Sequence, residues 1–291
     1  MNNSEAPENT DGNQATWLPK AQPAIGHPHM TDDFARVYEM TANRNTGQIA
    51  AEAIDRVGDV RWGARVLDIA AGAGALSVSA ALRGASVVAV DHAPGMVNLL
   101  TERLAPFPSS EARLMDGQQL ALEDCSFDAT FSLLGAIFFP DWRRGLLEQA
   151  RVTRGDGKAC VATWRRPPGG GPFRVMAEAL HSVFPEMRPP APPEGFLALA
   201  EPDRLAKEMS EAGLAAVDVE EIEVVWEGPA GHAYLHDVRE LHGYMGAYAM
   251  LDDDQRRRVD EAILTVIERS TVRDDRVVLR STVVLAVGTK R

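Results

Sequence analysis

VLDIAAGAGALS, residues 66–77, runs from apolar, β-prone residues into an aspartate, Asp68, then through a tight stretch of only Ala and Gly into a segment able to start a helix. Such a run delivers a strand through a small-residue turn to a helix N-terminus, where free backbone N–H groups and the positive end of the helix dipole meet a ligand. Gly72 and Gly74 permit positive φ and close backbone approach. The dinucleotide fingerprint, G-x-G-x-x-G/A, fails here because its third glycine position is Ser77. Asp68, four residues ahead of Gly72, suits a cationic or amine-bearing ligand better than a pyrophosphate.

Two further strands end the same way. Ser86–Val90 (SVVAV) stops at Asp91, 19 residues past Gly72, where a carboxylate can accept both hydroxyls of a ribose. Glu111–Met115 stops at Asp116, which with Gly117 fits an exocyclic amine. Three carboxylates closing three successive strands match the parts of S-adenosylmethionine: an amino-acid tail with a sulfonium, a ribose and an adenine.

The run resembles the class I S-adenosylmethionine-dependent methyltransferases, most closely the small-molecule group that includes the ubiquinone/menaquinone biosynthesis methyltransferases. The first motif of that family is an aspartate, two residues and a glycine-x-glycine turn, often with one more glycine just before it; here that earlier position is Ala70. The likeness continues through VVAVDHAPGM (87–96), FDATFSLLGAIFFPD (127–141), RVTRGDGKACVATW (151–164) and the C-terminal strands, about residues 31–291 in all. It implies an α/β fold: a doubly wound, Rossmann-like seven-stranded sheet of order 3-2-1-4-5-7-6, last strand antiparallel, with helical cap insertions. It also implies that an N-terminal helical lid folds over the cofactor, with Tyr38 and Arg44 near its methionine end. The competing reading makes Tyr38 helix packing and Arg44 a solvated charge.

Composition narrows the partners. A formal net charge of −12 opposes nucleic acid or an anionic membrane as partner, since phosphate binding needs a basic face. Apolar residues at 45% suffice for a buried core. The two cysteines, Cys125 and Cys160, build neither a disulfide framework nor a metal cluster, and they fit a cytoplasmic location. Apolar runs stay short of the ~18 residues of a membrane span, and the polar start MNNSEAPENTDGNQ lacks the features of a signal peptide.

Residues 1–29 read as a tail of little order, with Trp17 as a possible docking group, residues 30–60 as the lid and 61–291 as the methyltransferase domain. Thr31 is the expected N-cap of a first helix through Phe34, Val37, Tyr38 and Met40, and a second helix is expected over Gln48–Val57. Strands then alternate with helices: strand 65–69, helix 74–83, strand 86–90, a helix from Pro94, strands 111–115 and 127–133, helix 141–152 and strand 158–163. Right-handed crossovers bring Asp68, Asp91, Asp116 and Leu133 to one sheet edge. Eight of the 18 prolines crowd into Pro167–Pro193, marking a first cap insertion (about 165–200) with one helix at 173–184. A helix at 202–213, a strand at 217–226, a second helical insertion (about 229–272) and a long strand at 277–287 complete the chain.

Methyl transfer from a sulfonium disperses charge, so positioning in a dry pocket supplies most of the rate, no metal is required and no compact catalytic motif is expected. The cofactor candidates are therefore Tyr38, Arg44, Asp68, Ala70, Gly72, Gly74, Asp91, His92, Met96, Asp116, Gly117 and Leu133. Met96 packs on adenine or is helix core; His92 flanks the ribose or faces water; Asp116 binds the adenine amine or only forms a turn. Phe138, Trp164, Phe173 and Met245 are the candidate walls for a small apolar or aromatic acceptor, with Phe139 beside them, each of a type more often core than pocket. A hydroxyl or thiol acceptor is helped by a base; His236 and His181 are the candidates, and His232, His236, Glu240 and Tyr244 share one helix face at four-residue spacing. The alternatives are a protein of this fold that binds the cofactor without transferring methyl or catalyses another reaction, and a nicotinamide oxidoreductase, which Ser77 and Asp116 disfavour.

Overall fold

The computed structural model describes residues 28–58, 60–188, 191–273 and 275–291. The expected tail and Trp17 lie outside the described residues, apart from positions 28 and 29. In chain order the first half comprises α1 (Asp32–Val57), β1 (Arg65–Ile69), α2 (Ala75–Leu82), β2 (Ser86–Asp91), α3 (Pro94–Leu104), β3 (Glu111–Leu114), β4 (Phe127–Leu133), α4 (Trp142–Val152) and β5 (Thr153–Trp164). The second half comprises α5 (Pro172–Val183), α6 (Glu194–Leu199), α7 (Pro202–Glu211), β6 (Leu214–Pro229), α8 (His232–Tyr244), α9 (Gly246–Ala249), α10 (Asp253–Arg269), β7 (Thr271–Arg273) and β8 (Arg276–Lys290).

β1, β2 and β4 are largely buried on both faces because helices cover both, as a parallel sheet demands, although β4 carries Asp128, Thr130 and Ser132 on one of them. The sheet order is β3-β2-β1-β4-β5-β8-β6, and β8 runs antiparallel to both β5 and β6. With the three-residue β7 set aside as a hairpin partner of β8, this is the expected 3-2-1-4-5-7-6 arrangement. β1 pairs in parallel with β2 and β4, so Asp68, Asp91 and Leu133 meet at one edge.

The expected pair of lid helices is one helix of 26 residues. Thr31 caps it, its side chain accepting from Phe34 N–H at 3.2 Å. The stretch TANRNTG (41–47) resembles a break, yet Thr41 and Thr46 turn their hydroxyls onto the carbonyls of Val37 (2.7 Å) and Ala42 (3.2 Å) one turn back. Tertiary bonds hold the same turn: Arg44 and Gln48 reach backbone groups of β6, at Glu227 and Val225. The first insertion also departs from expectation. It holds two helices, because α6 follows Pro192–Pro193 directly and buries Phe196, Ala198 and Leu199. β5 starts earlier than expected, at Thr153, with a register shift against β4 between Phe127 and Ala129.

Two large apolar clusters result. One lies between the sheet and its flanking helices; the other joins α5, α8 and α10 to the outer ends of β6 and β8, around Trp226, Tyr234 and Ile263. A smaller cluster, Phe34, Ala73, Met96 and Leu99, seats the start of α1 on α3.

Candidate cofactor site

β1 ends by turning a carboxylate inward. Asp68 is 2% exposed, and it accepts from the Ser77 hydroxyl at 2.6 Å and from the Ser77 backbone N–H at the start of α2. Burial pushes its carboxyl up to about 7; the Ser77 bonds oppose the rise and the charge of Asp91 adds to it. The residue that breaks the dinucleotide pattern is thus the one that fixes Asp68.

The turn passes through three left-handed residues, Ala70 (φ 55°), Gly72 (φ 54°) and Gly74 (φ 82°). Glycine adopts this conformation freely, whereas Ala70 does so at a cost of roughly 1–2 kcal/mol. Gly135, just beyond β4, makes room for its methyl: a Cβ there would stand 2.4 Å from Ala70 Cβ. A Cβ on Gly74 would stand 2.6 Å from Leu100 Cδ2, so α3 buttresses the turn from behind.

Asp91 grips the same turn. Its Oδ2 accepts Gly72 N–H at 2.8 Å and its Oδ1 accepts Ala93 N–H at 2.9 Å, leaving a further acceptor position on each oxygen. His92 Nδ1 lies 3.5 Å from Asp91 Oδ1, with most of its side chain in solvent. Met96 is buried against Phe34 and Ala73. Asp116 is exposed, and its Oδ1 accepts from Gln118 N–H (2.9 Å) and Gln118 Nε2 (3.0 Å), the bonding of a turn former. Gly117 beside it is buried where a Cβ would meet Phe139 Cζ at 2.5 Å.

Over the turn lies α1. Tyr38, Asn43, Thr46 and Ile49 on one side and Asp68, Ala70, Gly72 and Leu133 on the other enclose a cavity of about 50 Å³. Burial and the charge of Asp91 push the Tyr38 phenol up to about 12. Asn43, Thr46 and Leu134 were missed by sequence reasoning; reading α1 as one helix would have carried its face from Tyr38 on to Thr46 and Ile49. Arg44 stands elsewhere, and this corrects the expectation. It pairs with Asp237 through two bonds of 2.5 and 2.9 Å and stacks on Trp226, 4.8 Å from the ring centroid, on the side of α1 that meets β6 and α8.

The candidate acceptor walls do not converge on this cavity. Phe138 is 60% exposed and meets Phe196 edge-to-face at 6.2 Å, while Phe139 fills the space left by Gly117 and Gly145. Trp164 ends β5 buried against Gly169 and Gly170, Phe173 is half-buried in the first turn of α5, and Met245 packs on the second cluster. His181, His232 and His236 are exposed, so the four-residue stripe on α8 looks into solvent until Tyr244, which meets Phe34 at 5.2 Å. Among the described residues the buried histidine is His242, and among them its Nε2 and the Tyr234 hydroxyl have no hydrogen-bond partner; burial, with Arg239 nearby, pushes the imidazole down to about 4.

Residues 67–161 match the family model described as a methyltransferase domain. The chain is 33% identical over 202 residues to the demethylmenaquinone methyltransferase of Renibacterium salmoninarum, covering 65% of this chain and 83% of that one. It belongs to the class I S-adenosylmethionine-dependent methyltransferases. The fold of this methyltransferase is shared with the YcgJ protein of Bacillus subtilis (TM-score 0.52, 20% identity, 83% of this chain and 97% of that one). It is shared too with phosphoethanolamine N-methyltransferase 2 of Haemonchus contortus, solved with S-adenosyl-L-methionine (TM-score 0.54, 15% identity, 90% and 58%). As a member of that family the methyltransferase takes S-adenosylmethionine as its cofactor, and its donor set fits that molecule: a buried carboxylate unpaired with any cation among the described residues, a turn with space for backbone approach, and a second carboxylate one strand over. The cavity does not yet fit. Sites for small molecules measure ~300–1,000 Å³, so the described conformation is closed over the turn.

Proposed function

We propose that this methyltransferase acts on a small apolar or aromatic molecule, with a demethylmenaquinone-type ring as the first acceptor to test. The observation that carries the reading is the 33% identity to a demethylmenaquinone methyltransferase over 83% of its length. Bound S-adenosylmethionine supplies an electrophilic methyl group on a sulfonium, transferred by in-line displacement. Asp68, ionised, is suited to hold an ammonium group at the turn, and Asp91 offers its remaining lone pairs to ribose hydroxyls. Gly72 keeps the turn open to backbone approach, while Tyr38 and Ile49 of α1 exclude water. Asp116–Gly117, with His92 and Met96, flanks the adenine position at the β3 edge. Trp164, Phe138, Phe173 and Met245 stay the candidate acceptor walls, although in the closed conformation they do not converge on the cavity. The lid at 30–60 and the caps at about 165–200 and 229–272 serve as its cover.

His181 and His236 are solvated, which argues against either as a base; positioning alone is sufficient for an acceptor that is already nucleophilic. The net charge of −12 supports a partner other than nucleic acid, and unpaired Cys125 and Cys160 support a cytoplasmic location. Among the described residues, no helix is long and apolar enough to cross a membrane. Incubation with methyl-labelled cofactor and a panel of demethylmenaquinone, phenols, thiols and amines tests the reading. Label is expected in the quinone-type or phenolic acceptors; label in amines alone overturns the acceptor class.

A further inference from the structure

α1 closes the cofactor cavity and, besides its anchors on β6, is tied to the glycine turn through one side chain of α3. Arg103 Nη1 donates at 2.9 Å to Glu39 Oε1 on α1 and at 2.9 Å to the carbonyl oxygen of Ala73 inside the glycine turn. Glu39 is the neighbour in sequence of Tyr38, which faces the cavity; Ala73 is the neighbour of Gly72, whose N–H is held by Asp91. Leu100, one turn before Arg103, is the side chain that buttresses Gly74. Both walls of the cavity are therefore referred to a single guanidinium, which is largely buried and spans 64 residues to Glu39. Two other polar contacts across this seam lack that geometry: Arg36 with Glu102 (3.2 Å) and Asn98 with Asp32 (2.9 Å) are exposed and join the two helices without reaching the turn.

We infer that Arg103 is a positioning residue for the cofactor, a latch that sets the glycine turn and the lid helix at one spacing through Ala73 and Glu39. The inference rests on the reading of this cavity as the S-adenosylmethionine site. A charged donor satisfying two acceptors in a partly buried place is among the stronger hydrogen-bonding arrangements. Both bonds leave Nη1, so lysine replaces it only in part, as a point charge without the guanidinium plane that orients the two N–H groups.

The test is titration of the full chain with S-adenosylhomocysteine by calorimetry, alongside initial-rate kinetics and thermal melting. Arg103→Gln is expected to weaken affinity roughly tenfold or more, the loss falling on KM for the cofactor rather than on kcat, with faster hydrogen exchange in residues 71–76 and 32–46. Arg103→Lys is expected to recover part of the affinity and Glu39→Gln to lose several-fold, the two losses being non-additive in the double variant. Arg36→Gln, on the same seam but away from the turn, is expected to stay within twofold of the unaltered chain. Wild-type affinity in folded Arg103→Gln, or equal losses in Arg36→Gln, overturns the latch. If Arg103→Gln does not fold, Glu39→Gln against Arg36→Gln decides on the same criterion. Failure of the unaltered chain to bind S-adenosylhomocysteine overturns instead the assignment of the site.

Discussion

Ser77 and Asp68 sit 2.6 Å apart in a place with little water, and that placement controls when the carboxylate is charged. Folded Asp68 titrates at about 7, well above its ordinary 3.8. Between those values the folded, cofactor-free chain keeps a proton that the unfolded chain has lost, so this group's contribution to stability falls as pH rises through that window. An amine-bearing ligand favours the ionised form. Affinity for S-adenosylhomocysteine is therefore expected to climb between about pH 5.5 and 7.5, with proton release on binding; Asp68→Asn is expected to bind more weakly and flatten the climb, as calorimetry in buffers of different ionisation heat will register. A second prediction concerns the departure at Ala70. Gly135→Ala sets two methyl groups 2.4 Å apart and is expected to cost about 2 kcal/mol or more; Ala70→Gly added to it is expected to restore most of the loss, in denaturant melts of the two singles and the double. The strand-end aspartates and the two turn glycines were legible from residue order alone, because strand, turn and helix start are local. The bonding of Asp116 was not: its position beside a glycine fits an adenine amine or a turn, and only the structure shows its bonds to Gln118.

Among the elements, α1 and α8 show how packing overrides local pattern. Thr, Asn and Gly in the middle of α1 lower helix propensity, but hydroxyl bonds one turn back and anchors on β6 keep the helix unbroken. On α8, a charge-and-histidine stripe at four-residue spacing suggested a functional face, yet the side chain taken inside is His242, off that stripe. Buried neutral with its imidazole at about 4, it takes up its proton later than the same histidine in the unfolded chain, at 6.5. Stability should fall as pH drops from about 6.5 towards 4, by about 2 kcal/mol at pH 5 for this group alone. Replacing it with phenylalanine is expected to shrink the difference in melting temperature between pH 7.5 and pH 5; an unchanged difference would show that the ring is accessible to protons in the folded cap.

For the whole molecule, the closed cavity makes a thermodynamic demand. S-adenosylhomocysteine at a hundred times its Kd is expected to stabilise the chain by about 2.7 kcal/mol, raising Tm by about 5 °C. Protection from hydrogen exchange should spread along α1 as well as the turn, since residues of both line the cavity. The sheet order 3-2-1-4-5-7-6 with its antiparallel last strand was what the family resemblance implied; what residue order by itself determined was the alternation of short apolar strands with amphipathic helices and the carboxylates brought to one edge. These follow from periodicity within a few residues and from the handedness of strand crossovers. The tertiary structure alone decided that Arg44 turns to Asp237, 193 residues on, that Asn43 and Thr46 face the glycine turn, and that Arg103 joins lid to turn. Each depends on which distant segment offers a charge or carbonyl at hydrogen-bond distance, and that is set by how helices settle on the sheet, a property that no local run of residues encodes.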